Sequence, residues 1–95
     1  MTDTEQTTTL KARITGHVQG VFFRAWTKEQ AEARGLSGWV RNEPDGSVAA
    51  LISGPQDKVR GMVDALHEGS PPSKVDRVET ASADPPDRPG FHVLK

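Results

Sequence analysis

Across residues 10–18 apolar and polar positions alternate. Leu10, Ala12, Ile14, Gly16 and Val18 fall on one side, and Lys11, Arg13, Thr15 and His17 on the other. That period of two predicts a strand with one buried face. The pattern breaks around Gly20 and turns helical from about Arg24, where Glu29, Gln30, Ala31 and Ala33 are good or acceptable helix formers. The apolar stripe expected on this helix is thin (Phe23, Trp26, Ala31, Ala33), and Gly35 is placed to end it as a left-handed cap. Residues 36–42 and 47–53 predict a second and a third strand, with Val48, Ala50 and Ile52 sharing one face of the third. Asp45-Gly46 between them is a hairpin-turn signal, because glycine tolerates positive φ.

Pro55 suits the first position of a second helix, where no amide donor is needed. Val59, Met62, Val63 and Leu66 then follow at i, i+3, i+4 and i+7, the clearest amphipathic pattern in the chain, and Gly69 closes it. A Ser-Pro-Pro-Ser loop over 70–73 leads to Val75 and Val78, which begin a fourth strand. Its phase breaks at Asp76-Arg77, as a bulge would make it do. Phe91 and Val93 mark a short last strand. The order βαββαβ plus a terminal strand predicts an α+β fold, a two-layer sandwich of a mostly antiparallel sheet with two helices on one face. The split βαβ, ferredoxin-like topology is the simplest that fits.

Composition narrows the picture by exclusion. At 95 residues the chain is expected to form one domain over 10–95, preceded by a polar, threonine-rich tail over 1–9 that is expected to be disordered. There is no cysteine, which removes disulfides, thiolate metal sites and a cysteine nucleophile together. His17, His67 and His92 are dispersed at spacings that match no metal motif, so no metal and no cofactor is expected. The start lacks the basic and apolar stretches of a secretory signal, and no run is long enough to span a bilayer, so a cytoplasmic protein without a membrane partner is expected. The net charge of −1, with both signs interleaved, argues against a nucleic-acid partner. No long apolar edge is evident, and a monomer is expected.

The chemistry concentrates where the first strand runs into the first helix. Such a junction presents unpaired N–H groups and the positive end of a helix dipole, and a glycine there lets the backbone curl into an anion-binding nest. Arg24 at the helix start opposes that dipole, which helix physics alone would disfavour. It makes better sense with an anion between it and the amides, since its planar fork suits a phosphate.

Gly16-His17-Val18-Gln19-Gly20-Val21-Phe22-Phe23-Arg24 resembles the signature of the acylphosphatase family, and Gly38-Trp39-Val40-Arg41-Asn42 followed by Asp45-Gly46-Ser47-Val48 resembles its second block. The resemblance runs over essentially the whole chain from Leu10. It implies the ferredoxin-like fold and metal-free hydrolysis of acyl phosphates, with inorganic phosphate as product and competitive inhibitor. It implies that Arg24 holds the phosphate together with backbone amides of His17, Val18, Gln19, Gly20, Val21, Phe22 and Phe23. Asn42 matches the asparagine that positions the attacking water. Phe22 fills a variable slot, and Ala25-Trp26-Thr27 stands where relatives often carry a more apolar run.

That chemistry is reasonable from the residues alone. A carboxylate with an acid pKa of about 4 leaves readily, so positioning water and stabilising phosphoryl charge are the remaining tasks. An asparagine can orient the water but is no base, so its proton is expected to go to the substrate's phosphate or to solvent. The Gln19 side chain is either a contact or a loop brace, and Arg41 is expected to face outward. Two other readings compete. One is a catalytically silent anion-binding module. The other is an RNA-binding sheet, which needs exposed aromatics on its central strands, and residues 47–53 carry none.

Overall fold

The computed structural model describes residues 6–94 and orders its elements as β1 (Thr7–His17), α1 (Phe23–Ala33), β2 (Ser37–Asn42), β3 (Val48–Pro55), α2 (Gln56–Glu68), β4 (Lys74–Ser82) and β5 (Phe91–Val93). The five strands form one sheet in the order β4-β1-β3-β2-β5. All neighbours are antiparallel except β2 and β5, which run parallel. Both helices pack on one face, α1 against β2 and β5, and α2 against β4, β1 and β3. This is the ferredoxin-like α+β sandwich.

The core lies between the layers, where Ala12, Ile14, Val40, Val48, Ala50 and Ile52 meet Phe23, Ala31, Val59, Met62 and Leu66. The alternation in β1 and the stripe on α2 therefore do what their periods require. Residue-level departures are informative. β1 begins at Thr7, and Thr7, Thr8 and Thr9 pair with Pro55, Gly54 and Ser53, so the tail expected over 1–9 does not reach Thr9. Threonine is β-branched and fits a pleated surface, and Thr9 Oγ1 and Ser53 Oγ share a hydrogen bond of 2.7 Å. The earlier part of that tail, 1–5, lies outside the described residues.

On α1 the buried residues are Phe23, Thr27 and Ala31, four apart, whereas Ala33 is exposed and Trp26 only partly buried. Thr27 occupies the stripe because its hydroxyl donates to the Phe23 carbonyl at 2.8 Å, which satisfies it inside the core. Gly35 caps the helix as expected. At φ 68° it donates to the Glu32 carbonyl while Leu36 donates to that of Ala31, the paired bonds of a Schellman motif. Pro55 stands one residue earlier than expected, as the N-cap of α2 and the last residue of β3. The bulge at Asp76-Arg77 is present. Arg77 pairs with Thr15 and Val75 with Gly16, leaving Asp76 as the extra residue.

Candidate active site

β1, β2 and β5 all point the same way, because β3 is antiparallel to both β1 and β2, and β5 is parallel to β2. Their C-terminal ends therefore lie at one end of the sheet. There they deliver the loop after His17, the side chain of Asn42, and the backbone of Val93 and Leu94. The N-terminus of α1 opens at the same end. Open sheets commonly bind ligands outside the C-terminal ends of such strands.

The loop is built to expose its backbone. Val18 and Val21 point inward and are buried, while Gly20 and Phe22 between and beyond them are exposed. Gly20 sits at φ 75° and Phe22 at φ 60°, ψ 23°, and Phe22 is the one non-glycine residue at positive φ among the described residues. Left-handed residues in such a loop turn its N–H groups toward a common centre. A left-handed phenylalanine costs about 1–2 kcal/mol. Burying Val18 and Val21 contributes about 1.5–3 kcal/mol each, which holds the loop in place. Among the described residues, the N–H groups of Gln19, Gly20, Val21, Phe22 and Phe23 donate no hydrogen bond inside the protein. Nor does α1 have a capping side chain or an acid in its first turn.

Two braces fix this loop. The Gln19 amide donates to the carbonyls of Glu43 and Ser47, both at 2.8 Å, tying the loop to the β2–β3 hairpin. Ser70, buried in the turn after α2, donates to the Val21 carbonyl at 3.3 Å. At the foot of the loop, Gly16 at φ 125° lies so close to the Lys74 backbone that a Cβ would collide with it. That explains the first glycine of the motif by backbone packing alone.

Arg24 is the second residue of α1 and half-buried, and its Nη1 donates to the Leu94 carbonyl at 3.0 Å. Alternation along β2 turns Val40 and Asn42 toward the helices and Trp39 and Arg41 toward the open face. Asn42 Oδ1 is buried and has no hydrogen-bond partner among the described residues. Beyond it the hairpin closes through Glu43 N–H to Ser47 O at 2.8 Å. The Ser47 hydroxyl and amide donate to Asp45 at 2.6 and 2.9 Å, and Arg13 reaches its other oxygen at 2.7 Å. These donors, Ser47 first and Arg13 after it, hold the Asp45 carboxyl far below its usual value of 3.8.

A cleft of about 340 Å³ joins these parts. It is lined by Val18, Gly20, Phe22, Phe23, Arg24 and Asn42, together with Ala25 and Val93. Of the residues expected at the site, His17, Gln19 and Val21 do not line it. His17 is exposed at the end of β1, Val21 is turned into the core, and the Gln19 side chain is the brace. Val93 and the Leu94 carbonyl are additions with no local sequence signal, since a parallel pairing across the chain brings them in. Arg41 faces away, paired to Glu43 at 2.6 Å and stacked 4.8 Å over Trp39. It borders a second groove on the open face, where Arg13 also pairs with Asp45 and Glu79, so those charges satisfy one another. Among the described residues no three His, Asp or Glu side chains group so as to hold a metal ion.

Free amides, an arginine fork and an unpartnered asparagine oxygen in one cleft of a ferredoxin-like sandwich suit a small phosphorylated ligand. Comparison with known proteins narrows the class. The acylphosphatase family model matches residues 10–93. An acylphosphatase of Rhizobium meliloti is 51% identical over 84 residues, covering 87% of this chain and 88% of that one. One of Rhodospirillum rubrum is 48% identical over 83 residues, covering 87% and 91%. The structure of an acylphosphatase from Coxiella burnetii superposes with a TM-score of 0.88 at 33% identity, covering 93% of each chain. The chain belongs to the acylphosphatase family. It is an enzyme that hydrolyses acyl phosphates.

Proposed function

We propose that hydrolysis runs in the cleft between Arg24 and Asn42. The phosphoryl group sits on the loop amides from His17 to Phe23 and on the Arg24 fork, and the attacking water is oriented by Asn42. The observation that carries this reading is Asn42 Oδ1, a buried acceptor without a partner among the described residues. Buried acceptors are nearly always satisfied, and an orphan costs about 1–3 kcal/mol. A water that donates to this oxygen satisfies it and directs its own lone pair into the cleft.

In the reaction the water oxygen forms a bond to phosphorus as the bond from phosphorus to the acyl oxygen breaks. The carboxylate departs with the electron pair, and the water's proton passes to a phosphate oxygen of the substrate. The amides and Arg24 are preorganised donors for the oxygens on which charge sits. Because the leaving group is a weak base, no general acid is required, and the described residues lining the cleft offer none. The same reading makes inorganic phosphate a competitive inhibitor and the chain a cytosolic monomer acting without nucleic acid or membrane. No helix among the described residues is long and apolar enough to cross a membrane.

Two variants test the asparagine. Asn42→Ala should lower kcat on the order of 10²–10³-fold while leaving competitive phosphate affinity nearly unchanged. Asn42→Asp keeps the shape but sets a negative charge beside the phosphoryl group, so it should lose activity and also bind phosphate more weakly. Wild-type activity or better in Asn42→Asp would replace orientation by base catalysis. Circular dichroism checks that the β2–β3 hairpin survives in both. A wild-type chain that binds phosphate but hydrolyses no acyl phosphate would be the silent anion-binding module instead.

A further inference from the structure

We propose that the cleft selects acyl phosphates whose acyl group is neutral and apolar, an aromatic or branched-chain acid, packed between the ring of Phe22 and the side chain of Val93. The proposal rests on the phosphoryl position argued above, because that position decides which end of the substrate faces the rim.

The large hydrophobic side chains left exposed among the described residues are Phe22, at 82%, and Val93, at 42%. A single exposed apolar residue needs no explanation. Here both line the same cleft as Arg24 and Asn42, although one comes from the loop after β1 and the other from β5. Backbone physics sharpens the point for Phe22. Its left-handed conformation is one that glycine adopts without strain and that asparagine tolerates. Neither local conformation nor core packing asks for an aromatic ring at this position. The ring stands in solvent beside the site.

Charge gives the complementary argument. Among the described residues Arg24 is the one ionisable side chain that lines the cleft, and its fork is directed to the phosphoryl group and to Leu94. A carboxylate or second phosphate on the acyl group would face Phe22 and Val93 and lose water without gaining a partner. A phenyl or branched alkyl group would lose only apolar surface to water, which is favourable. On an open rim only part of such a group is covered, so a preference of about tenfold for an aromatic over a methyl acyl group is expected.

The experiment measures kcat/KM for benzoyl, acetyl and succinyl phosphate with the wild type, Phe22→Asn and Val93→Thr. Phe22→Asn keeps a residue suited to the left-handed backbone and retains the amide, and Val93→Thr keeps shape and strand preference. Intrinsic substrate reactivity cancels when the benzoyl-to-acetyl ratio is compared between variants. That ratio should fall about five- to tenfold in Phe22→Asn and two- to threefold in Val93→Thr. Succinyl phosphate should be the poorest substrate of the wild type and should gain in rank when Phe22 is replaced. The inhibition constant of inorganic phosphate reports whether the loop is intact. Should it weaken in Phe22→Asn, the ratio in Val93→Thr decides. Ratios unchanged in both variants, or succinyl phosphate turned over as well as benzoyl phosphate, would overturn the acyl site and leave the hydrolase reading standing. A wild type that hydrolyses none of the three would overturn both.

Discussion

Gln19 is held at both N–H groups of its amide, and its removal should damage catalysis through geometry alone. Each of its two 2.8 Å bonds contributes about 0.5–1.5 kcal/mol net. The acceptors are not orphaned by the loss, because the Glu43 carbonyl also accepts from Gly46 and the Ser47 carbonyl from Glu43. The lower part of the range therefore applies, and Gln19→Met, which keeps length and removes the donors, should cost about 1–2 kcal/mol. In urea that shifts the unfolding midpoint down by roughly 0.5–1 M. The same change uncouples the phosphate loop from the hairpin that begins directly after Asn42, so kcat should fall at least about tenfold, since small misplacements in a positioned site are expensive in rate. Gln19→Glu should be worse on both counts, because it sets a carboxylate against two carbonyl oxygens. Urea unfolding followed by circular dichroism, with steady-state hydrolysis of acetyl phosphate, reads both effects. A Gln19→Met protein with wild-type midpoint and wild-type kcat would refute the brace.

Arg24→Lys should lose about 10- to 100-fold in kcat/KM, because a point charge replaces one of the paired bonds and gives up the Leu94 anchor; near-normal activity would show that the fork is dispensable. Asp45→Asn should lower the thermal midpoint at neutral pH. The Asp45 carboxyl has a depressed pKa in the folded state, so its contribution is present above 3.8 and is lost as pH falls from there toward the folded value. The gap in midpoint between wild type and variant should therefore close below about pH 4, and a gap constant with pH would refute the linkage. Chelators should leave hydrolysis unchanged, and loss of activity with recovery on adding a divalent ion would overturn the metal-free mechanism.

Local patterns that report one face or one turn were readable in the sequence. β1 alternates because one face meets helices and the other does not. Asp45-Gly46 turns because Gly46 sits at φ 95°, and the lost phase at Asp76 is a true bulge. What was hidden depends on neighbours distant in sequence. In β3 the run Val48–Ser53 is buried without alternation. The strand is central, and Ala49 and Leu51, on the face without helices, lie beneath surrounding residues that include Arg13, Arg41, Trp39 and the Pro85-Pro86 segment. On α1 helix propensity favours Ala33, whereas the four-residue spacing from Phe23 and a hydroxyl with a local acceptor put Thr27 in the core. The pair proposed as catalytic, Arg24 and Asn42, was readable through family resemblance. The Leu94 carbonyl and Val93 were not, since three-residue β5 reaches the site only by parallel pairing with β2.

The places where local rules fail in this chain coincide. A phenylalanine adopts a glycine conformation, a helix starts without a cap and with a cation in its first turn, a buried amide oxygen lacks a partner, and two apolar side chains face solvent. The first three are each unfavourable alone, by about 1 kcal/mol or a little more. They lie around one cleft, while the β1 alternation, the α2 stripe and the helix and hairpin turns obey sequence-level rules. Chance strain would scatter over the surface, and selection for stability alone would remove it. A phosphorylated apolar acid answers these features together. In the proposed mode its phosphoryl oxygens accept from the loop amides and the uncapped helix and neutralise Arg24, the attacking water satisfies Asn42, and the acyl group covers Phe22 and Val93. On that proposal the fold holds in advance, through Gln19, Ser70 and the two buried valines, an arrangement whose missing interactions are those of the substrate.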